Sequence, residues 1–190
     1  MTVKTRPPVD IRLITTADYH RMADVGILAA DEQVELLAGQ VIQKMLKGPA
    51  HSALCKRVEK LVERRLGDSV LVRLQDPIQL DTYSEPEPDI AIVYPSSSFY
   101  AEHHPTASEV FAIIEVSDST IERDLTLKAN LYAAAGIVDY WVINVQEKQL
   151  HIFRDPQANE YQKQTILKTK QSTSFVAFPD CTISVSDCFG

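Results

Sequence analysis

Apolar and polar residues recur along this chain with two periods, and each change of period marks a new element. "TTADYHRMADVG" (15–26) opens with threonines able to cap a helix and ends at Gly26, which predicts a short helix. "QVELLAGQVIQKM" (33–45) places apolar residues on both sides of Ala38-Gly39, the pattern of a β-hairpin. From His51 to Leu66, Leu54, Val58, Leu61, Val62 and Leu66 fall at helical spacing. The opposite face carries Lys56, Arg57, Lys60 and Arg64, interrupted by Glu59 and Glu63. "SVLVRLQDPIQL" (69–80) reads as a strand broken at Pro77, and "DIAIVY" and "FAIIEVS" read as strands buried on both faces.

"STIERDLTLKANLYAAAG" (119–136) is the clearest helix. Ser119 or Thr120 is placed to cap it, Glu122 adds first-turn acid and Gly136 closes it, with Leu127 and Leu131 expected toward the core. "DYWVINV" and "KQLHIFRD" follow as a hairpin, then "EYQKQTIL" and "SFVAFPDCTISV". A strand–helix–strand crossover from Glu115 to Trp141 makes the fold class α/β, a mixed β-sheet core flanked by helices. No repeat or linker divides the chain, so residues 1–190 are expected to form a single domain, with residues 1–12 a flexible arm.

Composition narrows the function classes. The net charge of −7 argues against extended nucleic-acid binding, yet it leaves room for a local basic cleft. No apolar run is long enough to span a membrane and no signal-peptide pattern opens the chain, so a cytoplasmic location is expected. Cys55, Cys181 and Cys188 are odd in number and lack CxxC spacing, and read as reduced thiols.

Two carboxylates stand out against this background. Asp89 precedes one buried strand and Glu115 lies inside the next, where an uncompensated charge costs several kcal/mol or more. If the strands are neighbours, the two acids repel unless one protonates or a divalent cation lies between them. Magnesium suits a few carboxylates with a backbone carbonyl such as that of Val116. Lys128 lies one helical turn from Asp124 and one from Tyr132, close enough to reach back toward the acids.

The string Pro88-Asp89, Glu115-Val116-Ser117, Asp124, Lys128, Tyr132, Gly136 and Tyr140-Trp141 resembles the Uma-two family of restriction-endonuclease-like proteins, in the PD-(D/E)xK nuclease superfamily. The likeness is strongest over 75–145, and "VELLAGQVI" with His51 extends it upstream. It implies Asp89 and Glu115 as metal ligands with the Val116 carbonyl, magnesium or manganese as cofactor, and Lys128 as the group that positions or activates water. Glu35 is implied as a further acid; Gln75, His51 and Asp124 are accessory candidates. The superfamily's usual lysine lies two residues after the second acid, where this chain has Ser117. A DNA endonuclease acting as a homodimer is therefore expected. The alternative is a nuclease-like fold kept as a non-catalytic nucleic-acid-binding or protein-interaction module.

Each residue also has a structural alternative. Asp89 could accept turn amides, Lys128 could pair only with Asp124 on the helix surface, and Glu35 could be a solvated hairpin charge. His51 could be merely a first-turn residue, Gln75 a strand-edge polar group, and Trp141 and Tyr140 core residues.

Overall fold

The computed structural model describes residues 10–190; most of the expected N-terminal arm (1–9) lies outside the described residues, and Asp10, Ile11 and Arg12 are exposed without regular structure. Helix α1 (Thr16–Asp24) starts where the sequence predicts, with the Asp18 N–H donating to the Thr15 hydroxyl at 3.1 Å. Strands β1 (Val34–Leu37) and β2 (Gln40–Gln43) form the hairpin, and Ala38 and Gly39 both have positive φ (48° and 73°). Such a two-residue turn favours glycine. At Gly39 a Cβ would also stand 2.6 Å from the Leu13 Cβ.

A six-stranded sheet forms the centre in the order β3-β4-β5-β6-β7-β8, from β3 (Leu71–Leu74), β4 (Ile90–Val93), β5 (Val110–Ser117), β6 (Asp139–Asn144), β7 (Gln149–Gln157) and β8 (Glu160–Lys168). Only β5 and β6 pair in parallel, because a helical crossover joins them, and every other neighbour is antiparallel. Helix α2 (Pro49–Leu66) packs Leu54, Val58, Leu61 and Val62 with Ile90, Ile114, Val116 and Trp141. In a second cluster Ile113, Tyr140 and Val142 meet Ala129 and Tyr132. Alternate residues of β5 thus enter different cores, which is why its sequence is apolar throughout. Among the described residues, no helix is long and apolar enough to cross a membrane.

The crossover differs from a regular helix. It runs as α3 (Ile121–Arg123), a π-helical turn (Asp124–Lys128) and α4 (Ala129–Ala134), and Gly136 ends it with φ 79°. Thr120 occupies the cap position, but its hydroxyl donates to the Asp124 carboxylate at 2.6 Å and makes no cap hydrogen bond. Of the two expected core leucines, Leu127 is 39% exposed and Leu131 half-buried, while Lys128 is 4% exposed. The inward stripe is Asp124, Lys128 and Tyr132, polar groups that find partners beneath the helix and so exclude the leucine.

The hairpin of β9 (Ser172–Phe175) and β10 (Phe178–Ser184), followed by α5 (Val185–Phe189), closes the α2 side. Its anchor is Asp139, fully buried at the start of β6. Asp139 accepts from the Trp141 indole at 2.7 Å, from Arg154 Nε at 2.9 Å and from the Val176 N–H at 2.7 Å. Trp141 stacks on Phe175 with ring centroids 4.2 Å apart, a core role as anticipated. Asp139→Ala strands three donors at once and is expected to lower stability by roughly 3 kcal/mol. Urea unfolding measures this; a loss under about 0.5 kcal/mol, the range of ordinary surface changes, would show that the anchor is dispensable.

Candidate active site

The antiparallel register of β4 and β5 pairs Ile90 with Ile114, and one step further brings Asp89 opposite Glu115. The two acids lie side by side at the sheet's end, where the Asp89 N–H donates to Glu115 Oε2 at 3.3 Å. Asp89 Oδ2 accepts the Val116 N–H at 2.9 Å, and Oδ1 faces His51 Nε2 at 3.0 Å and Lys47 Nζ at 3.2 Å. Burial disfavours its charge, but His51, Lys47 and the Val116 amide prevail and hold the carboxyl down at about 2.

Glu115 is compensated differently. Its Oε1 accepts from Lys128 Nζ at 2.8 Å and from the Tyr132 hydroxyl at 3.0 Å. Burial is the strongest influence on it and pushes its carboxyl up to about 8; Lys128 opposes this, while Asp89, Asp124 and Glu35 add to it. The Lys128 ammonium also stands 3.4 Å from Glu35 Oε2. Burial favours loss of its proton, but Glu115, Glu35 and Asp124 hold that proton more firmly than in a free lysine. Lys128 is therefore a buried cation between two acids, and its partner is not Asp124 on the helix surface.

Glu35 is buried on β1 rather than solvated. The hairpin is fixed to the loop before β4 by Glu85 N–H to Leu36 O (2.8 Å) and Gly39 N–H to Tyr83 O (2.7 Å), and Glu35 Oε2 accepts the Glu87 N–H at 3.2 Å. Asp124 accepts from Ser117 Oγ and Thr120 Oγ1, both at 2.6 Å, while Tyr140 donates to its main-chain carbonyl at 2.9 Å. Ser117, at the superfamily's usual lysine position, thus spends its hydroxyl on Asp124.

A cleft with about 80 Å³ of internal room opens over these groups, lined by Glu35, Lys47, His51, Asp89, Glu115, Val116, Asp124 and Lys128 among others. Four buried carboxylates face one fully buried lysine, and this excess of hard oxygen donors fits a divalent cation at Asp89, Glu115 and Val116. Gln75 does not line the cleft. Its main-chain N–H donates to the Asp89 carbonyl at 3.2 Å, with φ 56°, so it supports the strand end through its backbone.

Sequence reasoning missed three participants. Lys47 lies in the loop before α2, where no periodicity flags it. Arg123 lines the cleft from α3. Cys55 comes one turn after His51 on α2, a spacing visible in the sequence, and its thiol joins His51 and Asp89 with potential ligand atoms all within 4.8 Å of one another. Burial pushes that thiol's pKa upward, and Asp89 adds to the shift. The basic face of α2 is partly self-neutralised, since Lys56 pairs with Glu59 and Lys60 with Glu63, each at 2.6 Å.

No curated protein matches the chain in sequence. The fold is similar to a solved structure described as a "putative nuclease belonging to DUF820" from Anabaena variabilis ATCC 29413. The TM-score is 0.72 with 18% identity, over 93% of this chain and 97% of that one. This likeness shows a shared α/β fold, a six-stranded mixed sheet flanked by helices. A model of the Uma2 family, described as "Putative restriction endonuclease", matches residues 16–186, nearly the whole chain, and the chain belongs to that family.

Proposed function

We propose that this chain is a divalent-metal-dependent endonuclease that hydrolyses phosphodiester bonds of DNA. The observation that carries the reading is Lys128, wholly buried and held by Glu115 at 2.8 Å and Glu35 at 3.4 Å in the cleft that also contains Asp89. A lysine buried among acids for stability alone is a costly arrangement, because apolar residues of similar volume stabilise as well or better. Asp89, Glu115 and the Val116 carbonyl would hold magnesium or manganese. The bound ion supplies Lewis-acid polarisation of a phosphate oxygen and a lowered pKa for water.

The chain's own groups have separable tasks. Lys128 keeps its proton, so near neutral pH it is no general base. Its work is electrostatic: it holds the nucleophilic water or a non-bridging phosphoryl oxygen while negative charge develops. Glu35 and Glu115 fix the ammonium, and Tyr132 fixes Glu115 in turn. Asp124, tied to Ser117 and Thr120, anchors the π turn that carries Lys128. Lys47 and Arg123 on the cleft wall supply the local positive charge that phosphates require in an acidic protein. A homodimer would place two such sites on two strands.

The runner-up, a non-catalytic nucleic-acid-binding or protein-interaction module, draws on the commitment of Lys128 to two carboxylates with no lysine at Ser117. Incubating the full chain with plasmid and short duplexes, in magnesium, manganese or chelator, separates the two. Cleavage is expected with either cation and none with chelator. Lys128→Ala is expected to lose at least about a hundredfold in turnover, the range for one preorganised electrostatic contact. Full cleavage by Lys128→Ala would remove the lysine from the mechanism, and inactivity of folded, metal-bound protein would leave the non-catalytic reading.

The two acids also predict a pH signature. With its pKa raised from 4.5 to about 8, Glu115 retains in the native state a proton that the unfolded chain releases. Stability of chelator-treated protein should therefore fall as pH rises through that window. Asp89, held down at about 2, stays ionised throughout and contributes no slope there. Added magnesium should raise the melting temperature more at the alkaline end, where Glu115 ionises readily. In Glu115→Gln the chelator-state slope should flatten, and in Asp89→Asn the magnesium response should vanish. Melting curves across the window that showed equal slopes in wild type and Glu115→Gln would contradict this assignment of the proton.

A further inference from the structure

We propose that His51, Cys55 and Asp89 form a second, thiophilic metal site, selective for zinc over magnesium, whose occupation shuts the hard-cation site. His51 and Cys55 are one turn apart on α2, so both project from the same face of the helix, and the end of β4 brings Asp89 up to them. Their potential ligand atoms all lie within 4.8 Å of one another. Ligands bonded at about 2.0–2.3 Å to a tetrahedral zinc stand roughly 3.3–3.8 Å apart, so small side-chain movements complete the set. Nitrogen, sulfur and oxygen donors together suit zinc or cobalt, whereas magnesium avoids thiolate. A fourth position remains for water.

Zinc entry has defined consequences. The Cys55 thiol gives up its proton to solvent as the sulfur–metal bond forms. The Lys47 ammonium, 3.2 Å from Asp89 Oδ1, yields its place to the incoming cation, and His51 exchanges its contact at 3.0 Å for a bond to the metal. Exclusion of magnesium follows from Asp89 itself. It is the one carboxylate both sites need, so zinc on Oδ1 withdraws its charge from the hard-cation position and repels a second dication there. The inhibitory half of this inference rests on the nuclease reading; the binding half does not.

Cobalt titration of the full-length protein without nucleic acid tests the site directly. One equivalent is expected to produce thiolate-to-cobalt absorption in the near ultraviolet, abolished in Cys55→Ser and retained in Glu115→Gln. Absorption that is missing at saturating cobalt, or that survives in Cys55→Ser, overturns the proposal. Should Cys55→Ser fail to fold, His51→Gln in the half-buried first turn of α2 serves instead; unchanged cobalt affinity there is equally fatal. In cleavage assays zinc should inhibit wild type in competition with magnesium, with Cys55→Ser resistant. Inhibition that persists undiminished in Cys55→Ser would refute the proposed shut-off even if cobalt binds. A protein that never cleaves would fail the proposed function, while the absorption would still decide the metal site.

Discussion

Everything near the cleft is organised by one ammonium placed out of water. Lys128 is buried, and an unpaired charge there would cost several kcal/mol or more. Its partners come from groups far apart in sequence: Glu35 on β1, 3.4 Å away, and Glu115 on β5, whose Oε1 accepts from it at 2.8 Å. The hairpin must therefore be clamped onto the loop before β4, and the crossover must lie against the end of the sheet. Tyr132 and Asp124 complete the set. The former satisfies Glu115, and the latter ties the turn that presents the lysine to Ser117 at the end of β5. The hairpin, β5 and the crossover all have to be in place before this charge finds its partners.

Where burial and periodicity agree, the fold could be read from the chain. The α2 stripe, the Ala38-Gly39 hairpin and the parallel β5–β6 crossover all follow from apolar spacing and turn chemistry. Leu127 and Lys128 show where this fails. Hydropathy assigns the leucine to the core, yet the inward position goes to the lysine because β1 and β5 supply carboxylates that no local pattern reveals. The π turn escapes notice for the same reason. It is stabilised by tertiary partners, such as the Tyr140 hydroxyl on the Asp124 carbonyl, rather than by helix propensity.

The site is legible to a similar depth. Asp89 and Glu115 stand out because charge inside an apolar run demands an explanation, and strand register brings them together. Lys47 gives no such signal, since a lysine in a polar loop is unremarked until the fold sets it against Asp89. Cys55 was overlooked for the opposite reason. Its place in the apolar stripe of α2 accounts for it fully, and only the geometry adds His51 and Asp89 to its surroundings.

Moving the lysine from the strand to the helix alters what the site depends on. A lysine at position 117 would belong to β5, where the backbone is paired with β6 opposite Asn144. Lys128 instead belongs to a π turn whose shape depends on Asp124, Thr120 and Tyr140. Such turns often occur at functional sites, and their extra residue shifts the side chains that follow it. Ser117 is then more than a vacated lysine position. By donating to Asp124 at 2.6 Å, it fastens the turn to the strand that carries Glu115. A charge that the sheet would have positioned through its backbone is positioned here through side chains, which ties the electrostatics of the cleft to the packing of the crossover.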